Sequence, residues 1–200
     1  MYRGNASRFI PIVLVLIVVA IAIAALVSLG QAIFGGGQST QTQPDVGHQA
    51  LVSTDANRSV RMTVRGPIVA DENFHSYQIT IAPATRTMTT YTGYLNQILS
   101  TKQLGNNINA YEQFVYALDK ANMMQGDELT GDKNDIRGIC ATGEVHEFEV
   151  LQDNSTVKRL WTSTCKGSPG SFKASVSQVQ PLFLNQIPDN KTLLQAIKLQ

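Results

Sequence analysis

Residues 58–91 read RSVRMTVRGPIVADENFHSYQITIAPATRTMTTY. Val60, Met62 and Val64 alternate with Arg61, Thr63 and Arg65, the period of two expected of a strand with one buried and one wet face. Gly66-Pro67 breaks that run, and Ala70-Asp71-Glu72-Asn73 reads as a turn. Tyr77, Ile79 and Ile81 then alternate with Gln78 and Thr80. After Ala82-Pro83-Ala84 the threonine-rich run Arg86–Tyr91 suits a pleated, half-exposed strand. This third of the chain predicts a three-stranded meander, and with it a β-rich domain.

Toward the amino terminus the pattern changes character. Residues 35–57 are rich in Gly, Ser, Thr and Gln and predict a flexible linker, with His48 as a solvated side chain. Before it, Phe9 to Val27 carries no charged or hydrogen-bonding side chain, and the apolar stretch continues to Phe34. A 26-residue helix is about 39 Å long, enough to cross a hydrocarbon core of about 30 Å. Its apolar residues run all round, which leaves no face for water. Residues 9–34 are therefore expected to form a transmembrane helix, preceded by a cytoplasmic tail, residues 1–8. Arg3 and Arg8 lie on the amino-terminal side and no charge follows until Asp45, so the rest is expected outside the cell membrane. Ser28-Leu29-Gly30 and Gly30-Gln31-Ala32 offer the alternative of signal-peptide cleavage and a secreted domain.

A long apolar N-terminal helix before a small β-rich domain resembles the layout of type IV pilins and pseudopilins. The resemblance stops at layout: Gly4 is followed by Asn5, Ala6, Ser7, Arg8 and Phe9, and no Glu precedes Glu72. The family's processing pattern is therefore not present.

Toward the carboxyl terminus, Leu95, Ile98 and Leu99 stand at helical spacing and Gly105 is a stop, predicting one helix. A second begins at Asn109 with Glu112 as a capping box, and Tyr111, Phe114, Val115, Leu118 and Ala121 make its apolar stripe. Gly126–Arg137 is a polar loop. Its acids Asp127, Glu128, Asp132 and Asp135 miss the register of a calcium loop, and no Glu closes it. Ile139–Leu151 and Thr156–Lys166 predict a hairpin turning at Asp153-Asn154. In an unbroken ladder Cys140 opposes Gly167, and a bulge at Gly143 brings it toward Cys165, so a disulfide between Cys140 and Cys165 is expected. Phe172, Ala174 and Val176 predict a further strand ended by Pro181. Residues 189–200 predict a short C-terminal helix, with Asp189 as cap and an apolar edge of Leu193, Leu194 and Ile197 for the sheet, a partner or the membrane surface.

The expected fold is thus α+β. Residues 58–188 form an extracytoplasmic domain with a mostly antiparallel sheet of about six strands, in the order β-β-β-α-α-β-β-β, and a helix pair packed on one face.

Composition narrows the function. Sixteen basic and 15 acidic residues give +1, and setting aside Arg3 and Arg8 leaves the external part near neutral, which gives no electrostatic case for nucleic acid. No phosphate loop, dinucleotide fingerprint or nucleophile elbow is present, so no cofactor is implied. His146 begins a sequence similar to the helical zinc motif, but Val150 stands where the second His belongs, and no metal set is identified. These features favour a non-catalytic binding or scaffolding module, anchored in the cell envelope by a single pass and facing a protein partner there. The alternative is an extracytoplasmic hydrolase or metal-dependent enzyme using His75, His146 and nearby acids. That reading requires the two histidines to converge in one cleft.

Overall fold

The computed structural model describes residues 46–199. The expected transmembrane segment, residues 9–34, and the tail before it lie outside the described residues. Among the described residues no helix is long and apolar enough to cross a membrane. Within the stretch expected to be a linker, Val46–Val52 forms helix α1, which buries Ala50 and Leu51 against the domain. The polar composition around it hides one apolar turn.

The meander forms as its alternation predicts: β1 is Arg58–Arg65, β2 is His75–Ile81 and β3 is Thr85–Thr92. Val60 pairs with Ile81, Met62 with Ile79 and Val64 with Tyr77, so the apolar positions of both strands share one face. The segment expected as the first helix is instead a strand, β4, Gln97–Gly105, paired antiparallel to β3. Gly93 at φ 72° and Asn96 at φ 55° bend the chain back on itself, a left-handed geometry that Gly and Asn tolerate best. Three residues at helical spacing do not outweigh a tight turn beside a strand whose outer edge needs a partner.

Helix α2, Ile108–Lys120, buries Tyr111, Phe114, Val115 and Leu118, the stripe expected of it. Its cap is Asn107, not Asn109: the Asn107 carboxamide oxygen accepts the Ala110 N–H at 3.0 Å. Strands β5, Val145–Gln152, and β6, Ser155–Ser163, form the expected hairpin, and Asp153 and Asn154 both have positive φ. The strand expected at Phe172–Val176 does not form. Phe172 and Ser171 both give their N–H to the Trp161 carbonyl and Lys173 gives its own to the Gln125 carbonyl, scattered attachments in place of a ladder. Val176–Leu184 is helix α3, with Pro181 inside it and Val179 and Phe183 buried one turn apart. Helix α4, Asn190–Ala196, closes the chain. Asp189 precedes it without a side-chain cap and instead meets Lys102 at 3.0 Å.

The six strands make one antiparallel sheet in the order β4-β3-β2-β1-β5-β6. The fold is α+β with six strands as expected, although β4 replaces a predicted helix and α3 a predicted strand. Val60, Met62, Val64, Ile79, Phe148, Val150 and Leu160 lie on one face and pack with residues from α1, α2 and α3. Each large side chain removed from water there contributes about 1.5–3 kcal/mol. Ile197 is buried and Leu193 and Leu194 half-buried in that same core, so the C-terminal helix docks on its own sheet. The opposite face carries Arg61, Thr63, Arg65, Gln78, Glu147, Glu149 and Arg159, tied to one another by hydrogen bonds and ion pairs.

Candidate functional site

The polar face is not open everywhere. At the end of the sheet where β1 stops and β5 begins, residues 126–143 fold over it, and Cys140, Val145 and Trp161 form a second small core with Leu129, Ile136 and Ile139. The Cys140–Cys165 disulfide holds that layer down, with a Cα–Cα distance of 5.5 Å. The pairing is the expected one; the route to it differs. The register shift sits on β6, where Thr156 faces Leu151 but Lys158 faces Val150, leaving Val157 as the extra residue. Cys140 is off the ladder altogether. Gly143 lets the chain pass close to β6: a Cβ there would lie 2.2 Å from the Thr164 hydroxyl oxygen and 3.0 Å from the Cys140 sulfur.

Between this layer and the β3–β4 turn lies a cleft of about 370 Å³. That volume is at the small end of sites for organic ligands. Its floor is the end of β1, Arg65 and Gly66, with Val145 and Arg159 beside it. One wall is Ile136–Cys140. The other is Ile68, Phe74 and Tyr94. Phe74 and Tyr94 stack with ring centroids 4.2 Å apart. The Tyr94 hydroxyl donates to the Val69 carbonyl at 2.7 Å, and its backbone N–H donates to Asp71 at 2.8 Å, so that wall is fixed in place. The Ile68 N–H donates to the Ala141 carbonyl at 2.9 Å and joins the two walls.

The electrostatics of the floor centre on Glu147, which is 5 % exposed. Arg65 Nε donates to one of its oxygens at 2.8 Å and Arg159 Nε to the other at 2.8 Å. Arg159 also donates to the Asn134 carbonyl at 3.2 Å. At the rim, Arg137 is paired with Asp135, and the guanidinium's hydrogen bonds hold that carboxyl down to about 2. Neither spacing nor motif points to Arg65, Phe74, Tyr94 or Arg159. They come from four separated segments, and the one local hint is that Arg65 stands immediately before the Gly66-Pro67 break.

The histidines lie elsewhere. Cross-strand pairing of Val64 with both Tyr77 and His146 puts His146 on the helix-covered face, and His75, two residues before Tyr77, points to that face too. His146 is 3 % exposed, with Nε2 3.3 Å from Glu144 and Nδ1 buried without a partner. Tyr77 accepts a hydrogen bond from Gln180 at 2.9 Å. Burial pushes the Tyr77 phenol up to about 12, the Gln180 bond opposing and the Glu144 charge adding to it. His75 makes no side-chain hydrogen bond or ion pair among the described residues. No cluster of three or more His, Cys, Asp or Glu among the described residues is placed to hold a metal ion. His48 stays solvent-exposed, as expected of it, and also pairs with Asp119 at 2.8 Å, tying α1 to α2.

No protein-family model matches this chain, and no curated protein matches it.

Proposed function

We propose that this chain is a non-catalytic binding or scaffolding module, anchored by residues 9–34 and facing a protein partner on the outer side of the cell membrane. The observation that carries the reading is β4. It is one edge of the sheet, no residue of it is fully buried, and Leu95, Ile98 and Leu99 are exposed at its turn and first half. An edge strand with apolar side chains and open backbone groups is suited to accept an extended segment of another protein. The formed disulfide supports an oxidising compartment, and the apolar stretch with its basic amino-terminal flank supports the orientation.

The test is a photo-crosslinking residue at Ile98 in intact cells, with Asn154 in the β5–β6 turn as the control position. The expected result is a discrete adduct in the membrane fraction from Ile98, lost with Leu99→Lys and absent from Asn154. Recovery of the full-length chain in the soluble cytosolic fraction with Cys140 and Cys165 reduced would overturn the anchored reading. Equal adducts from both positions would overturn the β4 edge as the contact.

A further inference from the structure

The cleft beside the disulfide carries more positive charge and more donors than the protein itself uses. Arg65, Arg137 and Arg159 line it, and two carboxylates, Glu147 and Asp135, answer them. Asp135 belongs to Arg137 at the rim. Glu147 is shared by the other two, and Arg159 additionally spends a terminal N–H on the Asn134 carbonyl. The surplus therefore falls on Arg65: only its Nε is engaged, and its four terminal N–H groups meet no acceptor among the described residues. The side chain is 33 % exposed, so water solvates it only in part. A planar guanidinium with a free terminal pair of nitrogens matches the two oxygens of a carboxylate, which it binds by charge-assisted hydrogen bonds. The remaining walls are of opposite character: the stacked Phe74 and Tyr94 on one side, Ile136 and Ile139 on the other.

We propose that this cleft binds a small organic anion, a carboxylate joined to an aromatic or aliphatic body. The carboxylate takes the terminal nitrogens of Arg65, and the apolar body lies between the Phe74–Tyr94 wall and Ile136–Ile139. The domain as a whole is near neutral, so the attraction is local to this floor and selects for an anion with an apolar part, not for polyanions in general. All the residues involved lie between positions 65 and 159, so failure of the membrane reading would leave this site untouched.

Trp161, the single tryptophan, packs with Cys140 and Val145, which line the cleft, and reports on it through them. The experiment titrates the full-length chain, in phosphatidylcholine vesicles, with 3-phenylpropionate and with its neutral counterpart 3-phenylpropan-1-ol, following Trp161 emission. The expected result is saturable binding of the carboxylate, with the alcohol weaker by about tenfold or more, as the loss of one charge-assisted contact implies. Arg65→Gln is expected to weaken the carboxylate by about tenfold and leave the alcohol unchanged, whereas Arg137→Gln shifts it by less than about threefold. Should R65Q prove unfolded by circular dichroism, R65K carries the test. It keeps the charge and loses the fork, and a weakening of about threefold or more is expected. Equal affinity for acid and alcohol, no saturable response to the acid, or carboxylate binding unchanged in the folded Arg65 variant would each overturn the proposal.

Discussion

The two outer hairpins of the sheet, β3–β4 and β5–β6, are built alike and end differently. Both are antiparallel, both turn through residues of positive φ, and both carry one register shift. Yet β6 buries Leu160 and Trp161, while Leu95 beside β4 is 95 % exposed. The difference lies in what returns over each strand. Across β6 come residues 168–172: the Trp161 N–H donates to the Ser171 hydroxyl at 3.1 Å and the Thr162 hydroxyl to the Pro169 carbonyl at 2.9 Å. Lys158 reaches the Met124 carbonyl at 3.0 Å, and the disulfide closes the end. On β4, among the described residues, the cover is slighter: the Lys102–Asp189 ion pair and Leu104, half-buried against the main core, with the first half of the strand left exposed. A hairpin's own sequence sets its turn and pairing, whereas the chain elsewhere decides whether its edge is covered or left for a partner.

The sharpest way to break that contrast is truncation on either side. Phe148→Ala, in the core beneath β5, is expected to cost about 3–5 kcal/mol in urea unfolding, whereas Ile98→Ala on β4 stays within about 0.5 kcal/mol. Comparable losses would mean that the β4 edge is covered in solution. Next comes the staple. Replacing Cys140 and Cys165 together by Ser is expected to lower stability by about 3 kcal/mol, slightly below the loop-entropy figure because the hairpin already preorganises the loop. A change in unfolding midpoint equivalent to less than about 1 kcal/mol would place the stability of that end in its packing alone. A finer comparison uses two glycines. Gly170 has φ 67°, and a Cβ there would sit 2.1 Å from the Trp161 carbonyl oxygen, while Gly105 has open space around it. Gly170→Ala is expected to destabilise by about 1–3 kcal/mol, and Gly105→Ala by less than about 0.5 kcal/mol. Thermal denaturation of the pair in parallel reads the difference directly.

Much of the sheet is legible in the order of residues. The alternation at Val60, Met62 and Val64 and at Tyr77, Ile79 and Ile81 foretells which side chains are buried, because the pleat forces a period of two on any half-covered strand. The apolar stripe of α2 is equally plain. Leu95, Ile98 and Leu99 mislead because three residues satisfy helical spacing by chance, and nothing local shows that β3 requires a partner on that side. Phe172, Ala174 and Val176 mislead in the opposite direction: their alternation is that of an irregular segment running into a helix whose buried positions, Val179 and Phe183, come later. The cleft is not legible at all. Its charge surplus exists only because β1, β5 and β6 lie side by side and bring Arg65 and Arg159 to a single carboxylate.

From the linear order of residues alone came the β-rich class, the second helix, the hairpin turn at Asp153-Asn154 and the partnership of the two cysteines. All of these depend on near neighbours or on a count. Which edge stays bare, how the cysteines meet off the ladder, and where an arginine is left with unspent donors were settled only by folding. Those properties belong to pairs of residues separated by up to about a hundred positions, whose distances the packing of the whole domain sets.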